Sequence, residues 1–245
     1  IKFKIFKRSG YMRSLCIIVA RGASKRIPLK NISKIGKHSL VYWVSKAALK
    51  SNFDDVVIST ENKHIAKEAE KAGIQRLFWR PKNLCKDYSN DLDIIKHALK
   101  ATENIYKKKY KYIGLIQPTT PFIRVEHINQ CLKKLKKENL SCVFTAREIK
   151  EHPRMMWKIN KKNISPYLNK KIKNFEQHFQ KLKKYFIPNG GIWCMDANKI
   201  IKQKTIYAYP INLVKVPFQY SIDIDNSEDL LMARMIYKEF DIKTY

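Results

Sequence analysis

Residues 15–20 form an apolar run with a β-branched centre at Ile17, Ile18 and Val19, which predicts a strand covered on both faces. The period then changes: within 39–51, Leu40, Val41, Val44, Ala47 and Ala48 recur at helical spacing. Residues 56–59 read as a second short strand. Thr60 is then placed to cap a helix that runs to Ala72 and stops at Gly73. A third strand is expected at 76–79, a loop at 81–90, and a helix at 91–106 with Ile94, Ile95, Ala98 and Leu99 on one face. A fourth strand at 112–116 is closed by Pro118 and Pro121, a helix follows at 125–137, and a fifth strand at 141–145.

Strands alternating with helices at this rhythm predict a three-layer, Rossmann-like α/β fold. The sheet is mostly parallel, with crossover helices on both faces. The rhythm breaks between 150 and 188, where a strand at 155–159 and a turn at 159–163 precede a basic, weakly amphipathic stretch at 170–184. This interval reads as an inserted arm. Regular structure resumes at 190–195, 207–209 and 221–225, and a last helix is expected from its cap at Ser227 to about Phe240. Without repeats or a Gly/Ser linker, 12–245 reads as one domain, with 1–11 a basic extension ahead of Met12.

The chain has 245 residues, 44% of them hydrophobic, and a formal net charge of +29. That composition suits a folded domain and not a disordered chain. Such a charge suits an anionic partner, but most of the cations are lysines on the polar sides of helices, whereas specific phosphate forks favour arginine. The excess therefore reads as solvated background, with no nucleic-acid partner expected. No apolar stretch is long enough for a membrane span. The five cysteines, 16, 85, 131, 142 and 194, form no zinc pattern, and an odd count in apolar settings predicts reduced thiols in a cytoplasm. The six histidines are dispersed, and Trp43, Phe78, Trp79, Trp157 and Trp193 read as core packing.

Chemistry concentrates where the first strand ends. Arg21, Lys25, Arg26 and Lys30 crowd into ten residues around Gly22, Ala23 and Ser24. Clustered cations repel, so an anion is expected among them. Small residues let the backbone turn so that its amides form a concave cradle, and arginine adds a bidentate fork. The second glycine of the common P-loop is missing. Near the end of the chain, Asp223 and Asp225 flank Ile224 at period two, which places both carboxylates on one face of a strand. Hard oxygens at that spacing suit Mg²⁺ bridging phosphates.

The segment ARGASKRIPLKN resembles the signature of the N-acylneuraminate cytidylyltransferases. FWRPKNLCKD, IQPTTP, IPNGGIW and SIDIDNSEDL resemble further motifs of that family, in the same order along most of the chain. The resemblance implies attack of a sugar acid's anomeric hydroxyl on the α-phosphorus of CTP, giving a CMP-sugar and pyrophosphate. It also implies Mg²⁺ on Asp223 and Asp225, a homodimer built through the arm, and a cytoplasmic enzyme serving surface glycans. Arg21, Ser24, Lys25 and Lys30, with Gly22 and Ala23, would hold the triphosphate. Asn31 and Arg80 match nucleotide contacts, Asn90 and Asp91 stand near the base, and Gln117 faces the sugar.

Three cation slots of the family depart from its pattern, and the last two are the ones expected near the acidic sugar. Ile123 occupies an arginine slot with Arg124 one residue later, Met155 a lysine slot after Arg154, and Phe179-Gln180 an Arg-Gln slot. Arg154, Lys181, Lys183 or Lys184 are the expected substitutes, and Arg124 and Gln180 are expected with them on the substrate side. The rival readings are the same fold with another base or sugar, a basic nucleic-acid-binding protein, and a homologue that binds nucleotide without turnover.

Overall fold

The computed structural model describes residues 12–86, 88–160, 163–168 and 183–240. Its centre is a six-stranded sheet built from β1 (Arg13–Val19), β4 (Asp55–Ser59), β5 (Tyr110–Ile116), β6 (Cys142–Glu148), β9 (Phe186–Asp196) and β10 (Ile211–Lys215). Their order across the sheet is β10-β6-β9-β5-β1-β4. The β1–β4, β1–β5 and β6–β10 pairs are parallel, while β9 runs antiparallel between β5 and β6. Strand β1 sits where successive connections turn in opposite directions, toward β4 and toward β5. A crevice forms at the carboxyl end of such a strand.

Alternation along β1 divides the core. Cys16 and Ile18 face one side, where they meet α1 (Leu40–Leu49), α2 (Lys63–Ala72) and α4 (Val125–Lys137). Leu15 and Ile17 face the other, where they meet α3 (Asp91–Tyr106) and α5 (Ala197–Gln203). A third cluster packs α6 (Ser227–Glu239) on Ile35, Leu40, Phe122, Ile222 and Ile224. It lies beside the short hairpin β2 (Lys34–Ile35) and β3 (His38–Ser39). The predicted fold class and the helices at 91–106 and 125–137 match these elements.

The differences have local causes. Asn62, and not Thr60, caps α2: its side chain accepts from the amides of His64 and Ile65, while the Thr60 hydroxyl accepts from Asn62 N at 3.2 Å. Asn226, and not Ser227, caps α6, in a reciprocal pair with Asp229. Residues 76–79 form no strand, because the sheet ends at β4. Residues 207–209 are not a strand either: the Gln203 side chain takes both the N–H (2.8 Å) and the C=O (2.6 Å) of Tyr209. The strand there is β10, after Pro210. Trp43 and Trp193 are buried, but Trp79 and Trp157 are exposed. Trp79 lies under the Arg76 guanidinium, 4.2 Å from its ring centre.

All five cysteines are free thiols; Cys85 is half-exposed and the rest are buried. Burial pushes the Cys142 thiol up to about 12. The arm interval holds a separate hairpin, β7 (Trp157–Asn160) and β8 (Asn163–Pro166). The 1–11 extension and most of the basic stretch at 170–184 lie outside the described residues.

Candidate active site

The loop after β1 is fixed at both ends. Ala20 N donates to Ser59 O at 3.1 Å, which ties its start to β4. The buried Asn31 donates from Nδ2 to the Arg21 carbonyl at 2.8 Å, which closes the loop on itself. Gly22 passes so close to the β4–α2 turn that a Cβ there would come within 2.5 Å of the Asn62 side chain. Its amide donates to Glu61 Oε1 at 2.5 Å. The Gly22 amide, read from the sequence as part of a ligand cradle, is paired here with the chain's own carboxylate. Ala23 is exposed beside it. Part of the negative charge expected among the cations is thus Glu61, which the sequence reading missed.

The acidic segment is held from several sides. Ile224 N donates to Thr119 O at 2.8 Å, one bond and not a ladder, so residues 221–225 are not the strand the alternation suggests. Lys30 Nζ donates to Ile224 O at 2.7 Å and to Asp225 Oδ1 at 3.1 Å. Arg26 Nη2 also reaches Asp225, at 3.0 Å. Lys30 is therefore a tie between the opening loop and the acids, and not simply a phosphate ligand. Thr120 Oγ1 donates to Asn189 O at 2.7 Å. Gly190 follows with φ +73°, and a Cβ there would sit 2.9 Å from Thr120 Oγ1 and 3.2 Å from Asp223 Oδ2. A bare backbone in the left-handed region is what lets this strand approach the acid. Burial, with the neighbouring Asp225 charge adding to it, raises the Asp223 carboxyl above its ordinary range, against the Thr119 hydroxyl and Lys30.

The opposite flank hangs from β4. Arg80 is 4% exposed; its amide donates to Thr60 O at 3.0 Å, its Nε to Ser59 Oγ at 3.2 Å, and its Nη2 to Ser59 O. Burial lowers its pKa, while the charges of Glu61 and Asp91 work the other way. Asp91 opens α3, and burial raises its carboxyl against the pull of Arg80. Asn90 is exposed, its side chain caps α3 by accepting from Leu92 N at 2.9 Å, and it is not among the residues that line the cleft.

These parts enclose a cleft of about 600 Å³ at the carboxyl edge of the sheet. Of the sequence-selected residues, Arg21, Ser24, Lys25, Lys30, Asn31, Arg80, Asp91, Gln117, Asp223 and Asp225 line it. Arg26, Lys86, Ser89 and Thr119 line it too, without having been assigned a role. Arg26, Thr119 and Lys86 lay inside quoted motifs, so a signal was present; Ser89 had none beyond its closeness to Arg80.

Two expected sugar-side residues are placed elsewhere. Arg124 is taken by Tyr220 Oη at 3.3 Å and Glu126 at 3.1 Å, which turns it away from the cleft. Arg154 sits in a single turn ahead of β7, outside the cleft lining. Gln180 and Lys181 lie outside the described residues. Lys183 and Lys184 line a separate hollow of about 980 Å³ between the ends of β6, β9 and β10, and Lys184 pairs there with Glu148 at 3.2 Å. That hollow contains none of the quoted motifs.

A mostly parallel sheet with a cation-lined cleft at its switch point, opposed by two aspartates, defines a nucleotidyltransferase-type fold. Solved structures agree. A CMP:2-keto-3-deoxy-manno-octonic acid synthetase complexed with CTP superposes with a TM-score of 0.64 at 15% identity, over 93% of this chain and 99% of that one. A cytidylyltransferase from Leptospira borgpetersenii gives 0.58 at 15% identity, over 93% and 87%. The cytidylyltransferase family model matches residues 15–240, and the chain belongs to that family. Among curated relatives, pseudaminic acid cytidylyltransferase of Campylobacter jejuni is 27% identical over 228 residues, covering 93% of this chain and 97% of its own. N-acylneuraminate cytidylyltransferase of Streptococcus agalactiae is 23% identical over 223 residues, covering 90% of this chain and 52% of its own. Among the described residues, no helix is long and apolar enough to cross a membrane.

Proposed function

We propose that this enzyme transfers CMP from CTP to the anomeric hydroxyl of an acidic nonulosonic sugar, releasing pyrophosphate. The observation that carries the reading is convergence. Three segments far apart in sequence, within 20–31, 117–119 and 223–225, line a single polar cleft and are bonded to one another, and a fourth, at 189–190, is bonded behind them to Thr120. The Campylobacter relative, similar along nearly its whole length, supports the sugar class.

The chain's own groups supply positioning and charge neutralisation. Arg21, Ser24 and Lys25 receive the triphosphate, Arg80 and Asp91 the base, and Gln117 the sugar. In-line attack by the sugar oxygen on the α-phosphorus then expels pyrophosphate toward the cationic loop. Asp223 and Asp225 are the groups that would hold Mg²⁺. Among the described residues no third carboxylate, histidine or cysteine completes a protein cage. That fits an ion bound through one or two carboxylates together with substrate phosphates and water. When bound, it would neutralise charge on the phosphate oxygens.

The test is pyrophosphate release with each of CTP, UTP, GTP and ATP against pseudaminic acid, N-acetylneuraminic acid and ketodeoxyoctulosonate. Release is expected with CTP and a nine-carbon acid. GTP-only release would overturn the cytidylyl reading, and CTP binding without release from any acid would favour a non-catalytic homologue. A rival nucleic-acid function predicts salt-sensitive binding to random sequence, and it gives no reason for the paired aspartates.

The same proposal includes a homodimer and a cytoplasmic location, the latter supported by the free thiols. Hairpin β7–β8 stands apart from the main sheet and exposes Met156, Trp157, Ile159 and Ile164, an apolar patch of the kind that seats a second copy. Sedimentation of the wild type is expected to give the mass of two chains. Changing Trp157 and Ile159 together to serine is expected to give one; a dimer that persists would place the interface elsewhere.

A further inference from the structure

Glu61 is bonded to the opening loop, yet the proposed reaction gives it no task. It stands in the turn between β4 and α2. Its Oε1 accepts from Gly22 N at 2.5 Å, and its Oε2 is buried and accepts no hydrogen bond among the described residues. The bond to Gly22 needs only a carbonyl oxygen, which a glutamine would offer without a charge. A carboxylate with one buried, unpaired oxygen is costly. The charge therefore needs a reason beyond the hydrogen bond. Its surroundings supply one. The charge of Glu61 acts on the buried Arg80 in one sense, and that of Arg21 acts in the other. The Cys85 thiol is pushed up to about 11, by burial first and the nearness of Glu61 next, while Arg80 and Arg21 pull it down. Glu61 thus shares one electrostatic neighbourhood with a guanidinium of the opening loop and a guanidinium of the β4 flank. Both arginines line the cleft, and Glu61 does not.

We infer that Glu61 is a built-in stand-in for polyphosphate: it balances the two arginines in the empty enzyme and weakens the grip on pyrophosphate, so that this product leaves. The inference rests on the functional reading above and deepens it. Pyrophosphate carries several negative charges, and a carboxylate just behind the loop repels them through an interior that screens poorly. The same carboxylate relieves the mutual repulsion of Arg21 and Arg80 when no ligand is bound. Its effect is to narrow the difference in free energy between the empty and the filled cleft. Arginines without that balance would hold the departing pyrophosphate as firmly as they receive the triphosphate. Glu61 works through charge and through its bond to the Gly22 turn, without lining the cleft, so it is a positioning residue and not a catalytic one.

The experiment compares wild type, Glu61→Gln and Glu61→Ala. Binding of inorganic pyrophosphate with Mg²⁺ is measured by calorimetry at two ionic strengths, and folding by thermal melting with and without pyrophosphate. Glutamine keeps an acceptor for Gly22 N and removes the charge. Glu61→Gln is expected to bind pyrophosphate at least about tenfold more tightly than wild type. Its melting temperature should rise further when pyrophosphate is added. Glu61→Ala loses the Gly22 bond as well and is expected to bind more weakly than Glu61→Gln. Both variants lack the charge, so both should lose affinity more steeply than wild type as salt rises. A residue that only tied the loop down would give the opposite sign, with weaker binding in both variants and no steeper salt dependence. Unchanged or weaker pyrophosphate binding by folded Glu61→Gln overturns the inference, and so does an unchanged salt dependence in whichever variant folds. Failure of wild type to release pyrophosphate from any pair of substrates would instead sink the functional reading, and the pyrophosphate affinities would still decide the role of Glu61.

Discussion

Changing Asp223 to asparagine is expected to lower the rate of pyrophosphate release by about 10³-fold, at the upper end of what removing one charge-stabilising group costs an enzyme. The substitution keeps the shape of the side chain and removes only its charge. Asp223 Oδ2 lies beside the Gly190 backbone, where a Cβ would sit 3.2 Å from it, so little room exists on that side for a neighbour to replace it. The fold is expected to survive, because an amide in that place relieves the burial and like-charge strain that raises the carboxyl. Melting should therefore stay level or rise while turnover collapses, and the Mg²⁺ concentration for half-maximal rate should climb. Asp225→Asn is expected to cost less, about 10²-fold, since Arg26 and Lys30 still find its amide oxygen. Turnover within tenfold of wild type for Asp223→Asn, at saturating CTP, would remove the acid from the mechanism.

Truncating Arg21 to alanine is expected to lower kcat/KM for CTP by about 10²-fold, with lysine recovering only a small part of the loss. A guanidinium fork pairs bidentately with phosphate, and an ammonium does not reproduce that geometry. The backbone around Arg21 is held independently of its side chain. The Arg21 carbonyl accepts from Asn31 and the next amide donates to Glu61. The truncation therefore tests the side chain alone. Steady-state kinetics at two ionic strengths check the cause, because a lost charge contact makes KM less sensitive to salt than in wild type. An Arg21→Ala enzyme with unchanged KM, kcat and salt dependence would place the triphosphate elsewhere.

Much of the fold was legible in the chain because it rests on periodic burial. The apolar run of β1 and the apolar faces of α1 and α3 predicted a layered, mostly parallel sheet, and these are the elements whose packing needs little beyond their own sequence. Caps and edges were less legible. Thr60, Asn62, Asn226 and Ser227 are all acceptable cap residues, and only the observed hydrogen bonds decide among them. Residues 76–79 have a strand's composition, but a strand needs a neighbour, and the sheet stops one position short of them. The site divides in the same way. The cation loop and the two aspartates could be chosen from residue type and spacing. Glu61 could not, because its partner Gly22 lies 39 positions away. Nor could the diversion of Arg124, which depends on Tyr220, 96 positions away.

The sequence by itself determined the layered α/β architecture, the concentration of cations at the end of the first strand and the pairing of two carboxylates near the last helix, since each follows from local pattern and residue chemistry. Only the tertiary structure decided which of those groups share a cleft, that Lys30 and Arg26 lean on Asp225, and that Gly22 and Gly190 are small so that other segments can approach. The physical reason is that charge and hydrogen-bond partners are chosen by distance in space, and in this chain the sheet order, not sequence proximity, sets those distances.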